Sequence, residues 1–154
     1  MGTAVFYHLT RSGLDDTLRM ILTRALAQGW RVMLRGTDAT ALDRLDEQLW
    51  LGAAEGFLPH GRQGGPSDAG QPVLLGAGAI GNAAQGLVLI DGAVATAGEV
   101  TTLERVWVLF DGADEAAVSA ARGLWTQLCG FGMAAQYWSD ESGAWLKKTE
   151  RAAT

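Results

Sequence analysis

Two runs constrain this chain more than any other feature. Gly86-Leu-Val-Leu-Ile90 and Arg105-Val-Trp-Val-Leu-Phe110 are apolar at nearly every position. They are too short for core helices, and they lack the alternation of a strand with one wet face. Strands of this kind are covered on both sides, so they belong in the middle of a parallel sheet.

The rest of the chain supplies the covering elements. Residues 3–9 read as a first strand, and Ser12-Gly-Leu-Asp15 as a helix start with a side-chain cap and acids in the first turn. Leu14, Leu18, Ile21, Leu22, Ala25 and Leu26 then recur at helical spacing up to Gly29, a left-handed cap. Trp30 to Leu34 is a second strand, and Asp38 opens a helix striped by Leu42, Leu45 and Leu49. Further strands fall at 73–75, 87–91 and 105–110. A last long helix starts at Asp111–Asp114, carries Ala117, Ala121, Leu124 and Leu128 inward and ends at Gly130. A hairpin from Met133 to Leu146 closes the chain, turning at residues 139–143. Strand and helix alternating in this way give an α/β, three-layer Rossmann-like domain with a mostly parallel central sheet, one domain over residues 1–154. Residues 61–72, rich in Gly with Pro, Ser and Asp, read as an exposed, flexible loop within that domain and not as a linker.

Composition removes several functions. Twelve Lys+Arg against seventeen Asp+Glu give a net charge of −5, a field that repels a phosphate backbone and disfavours direct nucleic-acid binding. The single cysteine, Cys129, excludes an internal disulfide and a multi-cysteine metal site. His8 and His60 have no zinc-ligand spacing, so no metal is expected. No apolar run approaches the ~20 residues of a membrane span, and no signal-peptide pattern is present, so a soluble, cytoplasmic protein is expected.

One motif invites an enzymatic reading. Gly76-Ala-Gly-Ala-Ile-Gly81, GAGAIG, follows a strand where a dinucleotide-binding turn would lie. Such a turn must lead into a helix whose N-terminus holds the pyrophosphate. Here only Asn82 to Gln85 separate Gly81 from the next strand. A parallel crossover takes about a dozen residues or more, so the gap reads as too short to hold one. The acid expected ~20 residues on is also misplaced, since Asp91 comes too early. The loop is therefore expected to bind no nucleotide, with an NAD(P)- or FAD-binding enzyme as the alternative. The adjacent acids Asp15-Asp16 and Asp140-Glu141 read as solvated charge at a helix start and a turn. No nucleophile motif is present.

The stronger signal is Leu45-Asp-Glu-Gln-Leu-Trp50, a six-residue gap, then Phe57-Leu-Pro-His60. Trp50 lies about 100° around the helix from Leu49, at the edge of the inner stripe. Beside it, a loop-borne Phe-Leu-Pro-His could complete an apolar recognition patch. His60 reads as a polar loop residue, not a base.

LDEQLW, the gap, FLPH, the Gly-rich loop and PVLL, with AVFYHL before and YWSDESGAW after, resemble the chi subunit family of bacterial DNA polymerase III over most of the chain. The resemblance implies an adaptor without activity of its own. Such a protein joins the clamp-loader assembly, through the psi subunit where one exists, to the acidic C-terminal tail of single-stranded DNA-binding protein. It implies that Trp50, Phe57, Pro59 and His60 form the patch for psi or another protein. The family's tail site uses basic residues around the last long helix. In this chain only Arg122 lies there, with Lys147 and Lys148 beyond the hairpin turn, a departure from the family pattern. A protein-interaction module unrelated to replication is the remaining alternative.

Overall fold

The computed structural model describes residues 1–51 and 58–154. It contains eight strands among these residues: β1 (Thr3–Leu9), β2 (Val32–Arg35), β3 (Gly61–Arg62), β4 (Val73–Gly76), β5 (Gly86–Leu89), β6 (Arg105–Asp111), β7 (Ala134–Ser139) and β8 (Leu146–Arg151). They form one sheet in the order β3-β4-β2-β5-β6-β1-β7-β8. Every pairing is parallel except β7 with β8. β5 and β6 lie at the centre, as their continuous apolarity requires.

Helices α1 (Leu14–Ala27) and α2 (Ala39–Trp50) cover one face. Each buries a leucine-rich stripe: Leu18, Ile21 and Leu22 from α1, and Leu42, Leu45 and Leu49 from α2. The other face carries α4 (Glu115–Gly130) and α3 (Ala97–Val100), a single turn. The expected three-layer α/β architecture is present, with one layer thinner than the other.

The chain leaves β1 through α1 for one side of the sheet, and leaves β6 through α4 for the other side and across the opposite face. The carboxyl ends of β1 and β6 are therefore the topological switch point of the sheet.

Several local expectations needed correction. The gap after GAGAIG does hold a parallel crossover: β4 and β5 both pair parallel with β2, so the segment between Gly76 and Gly86 crosses β2 without a helix. It runs across the α4 face, burying Ala84 and packing Ile80 on the core. The Asn82 side-chain amide pins it by donating to the carbonyls of Val32 (3.1 Å) and Gln71 (2.9 Å). The 61–72 segment contributes an edge strand, β3, paired with β4, and a 3-10 turn at Asp68–Gly70. Ser12 does not cap α1; the N-cap is Gly13, with no side-chain bond. Gly130 is the last residue of α4, and the left-handed turn falls two residues later at Gly132, with φ 96°.

Asp140 departs furthest from expectation. It is buried, and its carboxylate accepts from the backbone N–H groups of Thr10 (2.8 Å), Arg11 (3.2 Å) and Ser12 (2.6 Å) and from the Thr10 hydroxyl (2.8 Å). Burial pushes its pKa up, but the bonds from Thr10 and Ser12 outweigh this and hold the carboxyl well below its usual range. The residue ties the end of β7 to the turn between β1 and α1.

Candidate functional site

The glycines of GAGAIG make room for a side chain of the protein itself. Gln63, just after β3, lays its amide into the loop: Oε1 accepts from the Gly78 N–H (2.9 Å) and Nε2 donates to the Ala79 carbonyl (2.8 Å). A Cβ at Gly76 or Gly78 would collide with Gln63, and one at Gly81 would crowd Leu74. The Gly78 N–H is thus satisfied internally, and the loop runs into β5 with no helix N-terminus following it.

Next to this loop, Arg35 on β2 forms a two-pronged ion pair with Glu99 of α3 (3.0 and 2.6 Å) and donates to the carbonyls of Gly78 (3.1 Å) and Val94 (2.9 Å). The Arg35 hydrogen bond, helped by bonds from Thr96, holds the Glu99 carboxyl down at about 2. Thr96 and Glu99 also close a reciprocal capping box on α3. Every guanidinium nitrogen of Arg35 points at a protein oxygen, so this group acts as a tie. Among the described residues no group of three or more His, Cys, Asp or Glu could hold a metal ion.

The patch expected around Trp50 is partly assembled. Trp50 is the last residue of α2 and is half exposed, and Leu51 after it is more exposed still. Phe57 lies outside the described residues. Pro59 is half-buried. His60, expected as a polar residue on the patch, is instead buried beneath it, with its ring 4.2 Å from the Trp50 ring. Its Nδ1 meets the Leu58 carbonyl, and its Nε2 lies 3.1 Å from the Asp46 carbonyl and 3.2 Å from Asp46 Oδ1. The imidazole therefore fastens the 58–60 segment to α2 and gives Trp50 a flat support. LDEQLW and residues 58–60 meet in space because Asp46 and Trp50 occupy one end of α2.

The three cations expected at a tail site fall on two elements. Arg122 is exposed on α4, near enough to Tyr137 that its charge offsets part of the rise that burial imposes on that phenol. Lys147 and Lys148 are exposed on the edge strand β8, where Lys147 Nζ lies 3.0 Å from Glu150 Oε2. Sequence reading missed Asp140 and Arg35, whose partners are remote in the chain.

Taken together, these features define an α/β protein of the doubly wound kind whose nucleotide-type loop is filled by its own glutamine and whose exposed aromatic sits on a built support. Residues 1–136 match the family described as DNA polymerase III chi subunit, HolC, and the chain belongs to that family. Its last part, the second half of β7 and all of β8, lies beyond the match. No curated protein matches the chain. Membership makes it an accessory subunit of a replicative polymerase. None of its helices among the described residues is long and apolar enough to cross a membrane.

Proposed function

We propose that this chain is a non-catalytic, cytoplasmic adaptor that links the clamp-loader complex to the acidic C-terminal tail of single-stranded DNA-binding protein. The observation that carries this reading is the half-exposed Trp50, held against the buried His60 ring at the end of α2 in a chi-family chain. A large, rigid aromatic raised on a supported base has the character of an interface anchor. Trp50, Leu51 and Pro59 supply the contact surface for psi or another clamp-loader protein, together with Phe57. His60 holds that surface in place and does not touch the partner. Arg122, Lys147 and Lys148 supply the charge for the tail, which needs a few local cations and not a basic protein.

Calorimetric titration with a synthetic peptide copying the acidic, Phe-terminated tail tests the linkage. Saturable heat that weakens with added salt and vanishes without the terminal Phe is the expected result. No heat at high peptide concentration overturns tail binding. Trp50→Ala tests the other arm: capture of the clamp-loader partner is expected to fall at least tenfold, while tail binding is unchanged.

A further inference from the structure

On the α4 face, a cavity of about 960 Å³ opens at the carboxyl ends of β5, β6 and β1. Its floor includes Leu89, Val108 and Phe110, and one wall is the Gly92–Val94 turn with Val94 exposed. The opposite wall is a side of α4 where Ala116, Ala120 and Gly123, all exposed, keep the groove open. Its position is the switch point between β1 and β6, where an open α/β sheet most readily accommodates a ligand. Its size also falls in the range of ligand pockets.

The charge of the cavity selects the occupant. Asp91, Asp111 and Asp114 line it, and among the described residues no Lys, Arg or His does. Asp111 Oδ1 accepts from the Ala113 N–H, and Asp114 Oδ1 from those of Ala116 and Ala117. Among the described residues, the second oxygen of neither carboxylate bonds to another group of the protein. Asp91, exposed and held at φ 54°, adds a third acid beside the Gly92–Val94 wall. An anion entering here meets three negative charges and no cation. A peptide with an apolar side chain flanked by Lys or Arg meets an apolar floor and an acidic rim.

We propose that this groove is a docking site for a short basic-apolar segment of a partner protein. It is separate from the surfaces assigned to the adaptor function, and it does not depend on that assignment. Arg122 is on a different side of α4 from the groove-lining Ala116, Ala120 and Gly123.

The test is a titration of the full-length, isotope-labelled chain, followed by amide NMR, with acetyl-Arg-Leu-Trp-Arg-amide and, separately, acetyl-Glu-Leu-Trp-Glu-amide. The expected result is saturable shifts at Val94, Ala116, Ala120 and Gly123 with the basic peptide only. Ala120→Trp, a substitution at an exposed helical position, fills the groove and is expected to weaken binding at least tenfold. Asp91→Asn should weaken it about threefold, and Arg122→Ala should leave it unchanged. Equal or tighter binding of the acidic peptide, no shifts at millimolar basic peptide, or full binding by a folded Ala120→Trp variant would each overturn the proposal. A positive tail titration with a negative result here leaves the adaptor reading standing, and the reverse leaves the groove standing.

Discussion

The two faces of the sheet are closed by different means. Under α1 and α2, leucines from two full helices interlock with Val32, Leu34, Val73 and Leu75. On the other face one helix, a single helical turn and a helix-free crossover share the same area. There the closure relies on polar ties: Arg35 with Glu99, Asn82 with Val32 and Gln71, Gln63 with the glycine loop. The first face is a core packed between helices, and the second adds hydrogen-bonded ties to its own apolar core. A parallel sheet thus tolerates an incomplete layer when the freed backbone and charged groups find partners within the chain.

The largest test of this contrast is a pair of truncations. Leu45→Ala, in the closed layer, is expected to cost about 4 kcal/mol, and Leu124→Ala, beside the groove, about 2 kcal/mol, because less new void forms next to an existing opening. Chemical denaturation of both variants reads the difference, and equal costs would break the comparison.

Next in size is Arg35→Met, which leaves Glu99 and the Gly78 and Val94 carbonyls without their donor and is expected to cost about 3 kcal/mol. Its pH dependence sharpens the assignment. Glu99 is depressed to about 2 in the folded chain, so its contribution is complete above the ordinary carboxylate value and disappears as pH falls through that depressed one. The stability gap between the parent and Arg35→Met, followed from roughly pH 6 downward, should therefore shrink with acid. A constant gap would mean that the ion pair is not what the substitution removed.

Gln63→Ala should cost about 1 kcal/mol, with hydrogen exchange at the Gly78 amide accelerating more than at core amides. Smallest is a glycine pair. Gly123→Ala, with open space around the new methyl group, should stabilise by about 0.5–1 kcal/mol as an exposed helical site. Gly36→Ala would press on Leu42 (3.1 Å) and Ile90 (3.3 Å) and should destabilise. Thermal melts of opposite sign would confirm which face has room.

The elements with a strong period were readable in advance. The stripe of α2 and the uniform apolarity of β6 each identify an element from within its own residues. So did the position of Trp50, since one step of helical rotation from Leu49 puts it at the rim. What escaped was set by partners far along the chain. Asp140 looks like a turn acid until residues 10–12 come alongside it. β3 is two residues long and has no period to detect. The crossover after GAGAIG was misjudged because a length rule for helical connections does not cover an extended one. Near Trp50, nothing local reveals that His60 turns inward to Asp46.

The exposure of Trp50 also makes it a reporter. Of the six tryptophans, Trp30, Trp107, Trp125, Trp138 and Trp145 are buried or partly buried, while Trp50 is the most exposed, at 50%. The solvent-sensitive, quencher-accessible share of the intrinsic fluorescence therefore comes mainly from the end of α2. Any molecule that seats there should shift the emission to the blue and shield it from acrylamide, giving an optical signal of occupancy in the unlabelled protein.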